Sequence, residues 1–301
     1  MSGWWHEVRA FLADIKLEHS VFALPFALIG ALLACRIDHG GGGRALPWPT
    51  PAELAWLLVA MVGARSAAMG FNRVVDRETD ARNPRTAARP LAAGGASPGG
   101  YWALIGLGVL ALWVGAGQLS PLAQHLSPLA LLVLFGYSLT KRYTAACHWI
   151  LGLALGLSPL AAWVALCGTI PTIAAPYWLS LAVICWVAGV DILYATLDLA
   201  FDRAEGLYSI PAVLGLEPAL RVARWSHAAC ALGLLLFGFS APGLGWGYAL
   251  ALSGALGLLA YQHALVRPDD LRRVNEAFFT VNAVLGLILL AGVSFDWLVP
   301  R

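Results

Sequence analysis

The stretch Arg65–Arg89, RSAAMGFNRVVDRETDARNPRTAAR, lies at the end of a long apolar segment and carries two aspartates, two asparagines, one glutamate and six arginines. Asn72, Asp76 and Asp80 stand at i, i+4 and i+8, which on a helix puts their oxygens on one slowly drifting face. Arg65 lies two turns earlier on the same face. A ladder of carboxylate and amide oxygens at a helix end suits a hard cation such as Mg²⁺, shared with a phosphorylated substrate. A second ladder follows in DILYATLDLAFD: Asp191, Asp198 and Asp202 stand at i, i+7 and i+11, and Tyr194 shares their face. Two such ladders facing each other across a cavity would hold metal ions against a diphosphate. A single aspartate at a helix end reads as solvated loop charge, but six aligned oxygen ligands do not.

Around these ladders the chain is strongly apolar. Hydrophobic residues make up 59% and charged residues 12%, against roughly a quarter charged in soluble domains. No Asp, Glu, Lys or Arg occurs from 91 to 140, from 143 to 190 or from 225 to 266. Each of these runs exceeds the ~20 residues that cross a bilayer. The pattern predicts an all-α, polytopic membrane protein, one domain over 1–301. Its nine spans, at about 20–37, 53–76, 99–118, 122–140, 148–168, 176–198, 218–239, 244–266 and 276–298, would surround a central cavity. Pro121 and Pro128 interrupt the fourth, and Pro159 is expected to kink the fifth. Residues 1–19 alternate Trp4, Trp5, Val8, Phe11, Leu12 and Ile15 with charges, as an amphipathic helix lying on the membrane does.

With nine spans, the N-terminus and the loops after spans 2, 4, 6 and 8 carry fifteen Lys and Arg, including Lys16, against three, Arg36, Arg44 and Arg301, on the other side. The positive-inside rule makes the first group cytoplasmic, and the cavity opens near that side. The ladders end spans 2 and 6, four apart, which suggests a duplicated four-helix unit. A net charge of +2 gives no electrostatic case for nucleic acid. The five cysteines are scattered small apolar residues without ligand spacing.

Other polar groups have plainer readings beside sharper ones. Tyr137, Lys141 and Arg142 could be an interfacial tyrosine with snorkelling bases; beside the ladders they read as donors to a departing diphosphate. Arg85 and Arg89 can grip phosphate oxygens or simply set topology. Arg65, two turns inside a span, needs an anion, either a protein carboxylate or a substrate carboxylate. His19, His125, His148, His227 and His263 read as isolated structural histidines. Asn275 and Asn282 read as interhelical hydrogen-bond partners.

The sequence resembles a known family. NRVVDRETD followed by ARNPRTAARPLAAG resembles the first signature, NxxxDxxxD, of the UbiA superfamily of intramembrane prenyltransferases. DLAFD with upstream Asp191 resembles the second aspartate motif, and YSLTK matches the family's YxxxK element. IKLEHSVFALPFALIGALL and FDRAEGLYSIPAVLG are similar to the bacterial 4-hydroxybenzoate polyprenyltransferase-like branch, which includes a dihydroxynaphthoate prenyltransferase of menaquinone synthesis. Many members have Asp after the first Asn, where this chain has Arg73.

The resemblance implies Mg²⁺ at Asn72, Asp76, Asp80, Asp198 and Asp202, and a chemical step assisted by Asp76, Asp191, Asp198 and Lys141. It implies a polyprenyl diphosphate donor and an aromatic acid acceptor, whose carboxylate Arg65 would face. Arg85, Arg89, Tyr137, Arg142, Tyr194 and Asn72 would bind substrate. The setting would be the bacterial inner membrane, in ubiquinone or menaquinone biosynthesis. A transporter with the aspartates as cation sites, a haem farnesyltransferase or a lipid-headgroup transferase are the rival readings.

Overall fold

The computed structural model describes residues 2–15, 22–41, 43, 44 and 46–298. Lys16, His19 and Arg301 lie outside them. In chain order the helices are α1 (Ser2–Ile15), α2 (Leu24–Gly40), α3 (Pro51–Val75), α4 (Arg77–Arg82), α5 (Pro98–Leu119), α6 (Pro121–Thr140) and α7 (Cys147–Cys167). There follow α8 (Ala175–Ala195), α9 (Leu199–Ala204), α10 (Ile210–Leu214), α11 (Leu216–Ser240), α12 (Trp246–Leu265) and α13 (Val274–Leu298). Among the described residues, seven helices are long and apolar enough to cross a membrane. Of the nine predicted spans, the two outside that set are real helices with visible shortfalls. α2 has only 17 residues, and α12 carries Tyr261, Gln262 and His263 near its end.

The chain forms two compact units, Met1–Ser20 with Thr50–Leu139 and Val21–Pro49 with Thr140–Arg301. In the first, α3 starts from a capping box. Thr50 and Glu53 satisfy each other's backbone N–H groups, and Pro51 is pre-set for the first turn. Ser97 and Pro98 start α5 in the same way, without the glutamate. α3 and α5 meet through small residues: a Cβ on Gly63 would lie 2.6 Å from the Gly108 carbonyl, and one on Gly115 would lie 2.9 Å from the Ala60 nitrogen. Lipid tails give helices no hydrophobic reason to associate, so close backbone approach does this work. α1 buries Phe11 and Ile15 beside Ala67, Tyr101 and Ile105 and leaves Trp4, Trp5 and Leu12 exposed. Glu7 fixes its outer end by accepting the Ser97 N–H at 3.1 Å.

In the second unit α8 is the most enclosed element, apolar on nearly all sides, with Ile192 and Ala188 fully buried. Gly152 and Gly156 bring α7 onto Ile184 of α8, and Gly30 brings α2 onto the backbone of Pro159. Some polar groups inside this unit are partnered across helices. Trp186 and Gln262 both donate to Asn282 Oδ1, at 2.9 and 2.5 Å. Asp296 accepts from the amides of Gly245, Gly247 and Tyr248 at 2.7–3.0 Å, satisfying the free N–H groups that start α12.

These contacts predict opposite outcomes for two glycines of one helix. Gly108→Leu should destabilise the protein by about 1–3 kcal/mol through overpacking against α3. A Cβ on Gly106 meets nothing within 4 Å, so Gly106→Leu should stay within about 0.5 kcal/mol of wild type. Thermal unfolding in detergent measures both.

Candidate functional site

The first ladder spans a break in its helix. α3 stops at Val75, Asp76 takes φ −92° and ψ 5°, and α4 begins at Arg77. The i+4 backbone bonds nevertheless continue, from Asp76 N to Asn72 O at 2.9 Å and from Asp80 N to Asp76 O at 2.7 Å. The backbone that carries the three side chains therefore keeps its i+4 register across the break. Asn72 Nδ2 donates to Asp76 Oδ2 at 2.7 Å, which turns the Asn72 amide oxygen the other way. The following segment folds back on the ladder. Asn83 Oδ1 accepts the Arg85 N–H at 3.0 Å, and Thr86 Oγ1 donates to the Asp80 carbonyl at 2.9 Å. Arg89 is thereby delivered to Asp80 Oδ2 at 2.7 Å. Arg85 itself is exposed.

Arg73, the residue that departs from the family pattern, is buried inside this ladder. It donates to Asn72 Oδ1 at 2.9 Å and lies 3.6 Å from Asp80 Oδ2. Its Nε lies 3.4 Å from Asp14 Oδ1 of α1, whose other oxygen accepts from Tyr101 at 2.8 Å. Sequence reasoning missed Asp14; a buried acid on the apolar side of an amphipathic helix was the available signal. Arg65 donates to the Ile15 carbonyl at 3.3 Å, and the Tyr137 hydroxyl points to Met69 Sδ at 3.6 Å.

The second ladder, in the other unit, is broken likewise. α8 ends at Ala195, a 3₁₀ turn covers Thr196–Asp198, and α9 runs from Leu199. Asp202 is fully buried. It accepts from Ser209 Oγ at 2.7 Å and pairs with Lys141 Nζ at 2.8 Å. Burial works against the Lys141 charge, but the carboxylates of Asp202, Asp198 and Asp191 outweigh it and hold the ammonium above the usual lysine value. Asp198 is buried beside them, and Arg142 is half-buried. Tyr194 meets Phe279 edge-on at 6.1 Å between ring centroids.

The loop after the ladder is stitched to the start of α7. Tyr208 N donates to the Lys141 carbonyl at 2.8 Å. Cys147 Sγ lies 3.4 Å from the Tyr208 carbonyl. The Ile210 amide donates to His148 Nε2 at 3.1 Å, and His148 Nδ1 lies 2.6 Å from Asp191 Oδ2. His148, read from sequence as isolated, is therefore tied to a ladder aspartate 43 residues away. His227 also has a partner, His263, at 2.9 Å.

The donor set is oxygen from carboxylates and one amide, which fits Mg²⁺ rather than a thiolate-loving metal. Among the described residues no three His, Cys, Asp or Glu side chains gather as a ready-made metal site. Mg²⁺ does not require one, because it is commonly bound by one or two carboxylates plus substrate phosphates.

Comparison with known proteins agrees with this architecture. Residues 23–288 match the UbiA prenyltransferase family. The chain is 30% identical over 294 residues to the mitochondrial 4-hydroxybenzoate polyprenyltransferase of Arabidopsis thaliana, covering 90% of this chain and 69% of that one. It is 32% identical to the 4-hydroxybenzoate octaprenyltransferase of Aeromonas hydrophila, covering 87% and 94%. The apo structure of a UbiA homolog from Aeropyrum pernix K1 superposes with a TM-score of 0.81 at 33% identity, covering 93% of this chain and 98% of that one. A UbiA homolog from Archaeoglobus fulgidus, bound to GPP and Mg²⁺, shares the fold at a TM-score of 0.64 and 16% identity, covering 95% and 99%. Seven helices able to cross a membrane among the described residues, two aspartate ladders at helix ends and a family match over most of its length make this chain a multi-pass membrane prenyltransferase that belongs to the UbiA prenyltransferase family.

Proposed function

We propose that this protein transfers a polyprenyl group from an allylic diphosphate to the ring of a hydroxy-aromatic acid, 4-hydroxybenzoate or dihydroxynaphthoate, for quinone biosynthesis. The carrying observation is that the last aspartate of each ladder is paired with a base, Asp80 with Arg89 and Asp202 with Lys141. A magnesium diphosphate can exchange into such pairs, since the cation takes carboxylates and the anion takes the bases. The relatives named for 4-hydroxybenzoate, similar over most of the chain, support the acceptor class. Family membership sets aside the transporter reading.

In this reading Asn72, Asp76, Asp80, Asp198 and Asp202 hold Mg²⁺, which when bound supplies Lewis-acid stabilisation of the leaving diphosphate. Lys141, Arg142, Tyr137, Arg85 and Arg89 donate to its oxygens as charge develops there. Tyr194 offers an aromatic face to the allylic cation without attacking it. Arg65 orients the acceptor through its carboxylate, so that the ring carbon beside the hydroxyl meets C1 of the prenyl chain. Asp191 serves the proton that leaves the ring. The lipid surroundings keep the polyprenyl tail in place and water away from the cation.

We also infer nine spans, counting α2 and α12, with the ladders near the cytoplasmic side of a bacterial inner membrane. The basis is the lysine and arginine asymmetry. Single cysteines placed at 94 and 206 in a cysteine-free background should label from the cytoplasm. Labelling of either from outside would reverse the orientation.

Asp76→Ala or Asp198→Ala should abolish prenyl transfer without unfolding the protein, and chelation should do so reversibly. Near-wild-type turnover of either variant at saturating Mg²⁺ would remove the ladder assignment.

Arg65→Lys keeps the charge but loses the planar two-point grip on a carboxylate. It should raise the acceptor KM by roughly 10- to 150-fold, the equivalent of about 1.5–3 kcal/mol, and leave the donor KM nearly unchanged. An acceptor without the carboxylate should respond little. Kinetics with each substrate varied in turn check this; a rise confined to the donor KM sinks the assignment of Arg65 to the acceptor.

A further inference from the structure

The contacts of His148 are chemically one-directional. A backbone N–H can only donate, so the 3.1 Å contact from the Ile210 amide obliges Nε2 to be the unprotonated nitrogen. The proton of the neutral imidazole then sits on Nδ1, 2.6 Å from Asp191 Oδ2. The Ile210 amide is itself a free N–H at the start of α10, and His148 is the group that satisfies it. The ring is almost wholly buried, while the Asp191 side chain keeps 27% of its surface exposed. One carboxylate oxygen is thus turned inward onto a fixed donor, and the carboxylate still presents surface outward.

We infer that His148 is a positioning residue for prenyl transfer: a tautomer-locked imidazole that orients the Asp191 carboxylate from behind. The arrangement has the logic of a carboxylate–histidine pair in which the second group fixes direction and never meets the substrate. Ile210 lies eight residues past Asp202, so the lock runs through the loop that Ser209 and Lys141 fasten to the second ladder. Asp191 and the diphosphate-facing acids are set by one connected network rather than by helix register alone. With Nδ1–H on Oδ2, Oδ1 is left as the acceptor for a proton of the aromatic substrate. The 3₁₀ turn after Ala195 makes such an external brace necessary, because the helix no longer holds Asp191 in line with Asp198.

The inference rests on the prenyl-transfer reading, and its test uses the full-length protein in lipid nanodiscs. An Asn amide nitrogen falls near the place of Nδ1 and a Gln amide nitrogen near that of Nε2. His148→Ala and His148→Gln should lower kcat by about 10- to 100-fold while the donor KM stays within about threefold. His148→Asn should recover to within about fivefold of wild type, since it restores the donor to Asp191. Binding of an unreactive prenyl thiodiphosphate with Mg²⁺ should be the same in all four proteins. In ¹⁵N-histidine-labelled wild type, the resonances lost in the His148 variants should show a protonated Nδ1 and a bare Nε2. Unchanged kcat in His148→Ala overturns the inference. So does equal impairment of the Asn and Gln variants with weakened donor binding, the mark of a purely structural histidine, and so does a protonated Nε2. If wild type transfers no prenyl group to either acceptor, the prenyl-transfer reading fails instead, and the nitrogen spectrum still judges the imidazole.

Discussion

A carboxylate near hydrocarbon must have a partner, and this constraint governs both motif regions. An ionised group at mid-membrane costs about 2.5–3.5 kcal/mol even on the lenient insertion scale. The chain therefore binds each ladder acid to something. Asp80 has Arg89, Asp202 has Lys141 and Ser209, and Asp191 has His148. The partners come from outside the ladders' own helices, which is why each ladder is followed or approached by a loop that folds back upon it. Residues 83–89 do this for the first ladder, and residues 205–210 do it for the second. The loops are thus part of the sites and not merely connections between spans.

The spans solve a different problem. In lipid, helices gain little from burying leucine against leucine, so association depends on how closely backbones approach. Gly63 with Gly108, and Gly152 and Gly156 with Ile184, supply that approach in the two units. Polar contacts within the spans add cross-links where side chains find one another, as Trp186 and Gln262 do at Asn282. The rigidity this produces lets short-range pairs such as Lys141–Asp202 keep a fixed geometry at the span ends.

Much of this was legible in sequence because the signals are local. Spans follow from uninterrupted apolar runs, and ladder spacing follows from 3.6 residues per turn. The α3–α4 break at Asp76 left the backbone register of the first ladder intact, since the i+4 bonds run on through the break, whereas the 3₁₀ turn at Thr196–Asp198 interrupts the second. What stayed hidden was pairing between distant residues. His148 and Asp191 have no shared pattern, and the residue that fixes the histidine, Ile210, contributes only its backbone. Asn282 could be read as an interhelical partner because an asparagine in an apolar helix must bond to something; which partner it takes is a tertiary fact. The weaker spans fail for the same local reason that the stronger ones succeed: α12 is diluted by Tyr261, Gln262 and His263 near its end.

Arg73 shows how such a distant pairing absorbs a departure from a motif. After the first asparagine of the motif this chain places a cation, among oxygens already partnered with one another. The guanidinium draws on Asn72 and Asp80, which alone would leave a buried positive charge competing with any metal for those oxygens. Asp14 offsets it. This acid comes from α1, and Tyr101 holds it in place. α1 therefore has two faces with separate roles: Trp4, Trp5 and Leu12 turn outward, and Asp14 turns in to neutralise Arg73. The cation on the motif helix is met by a carboxylate on another helix, so the charge that surrounds the ladder is set by both. The physical requirement falls on the sum of charges around the ladder, and a motif records only the part of that sum lying on one helix.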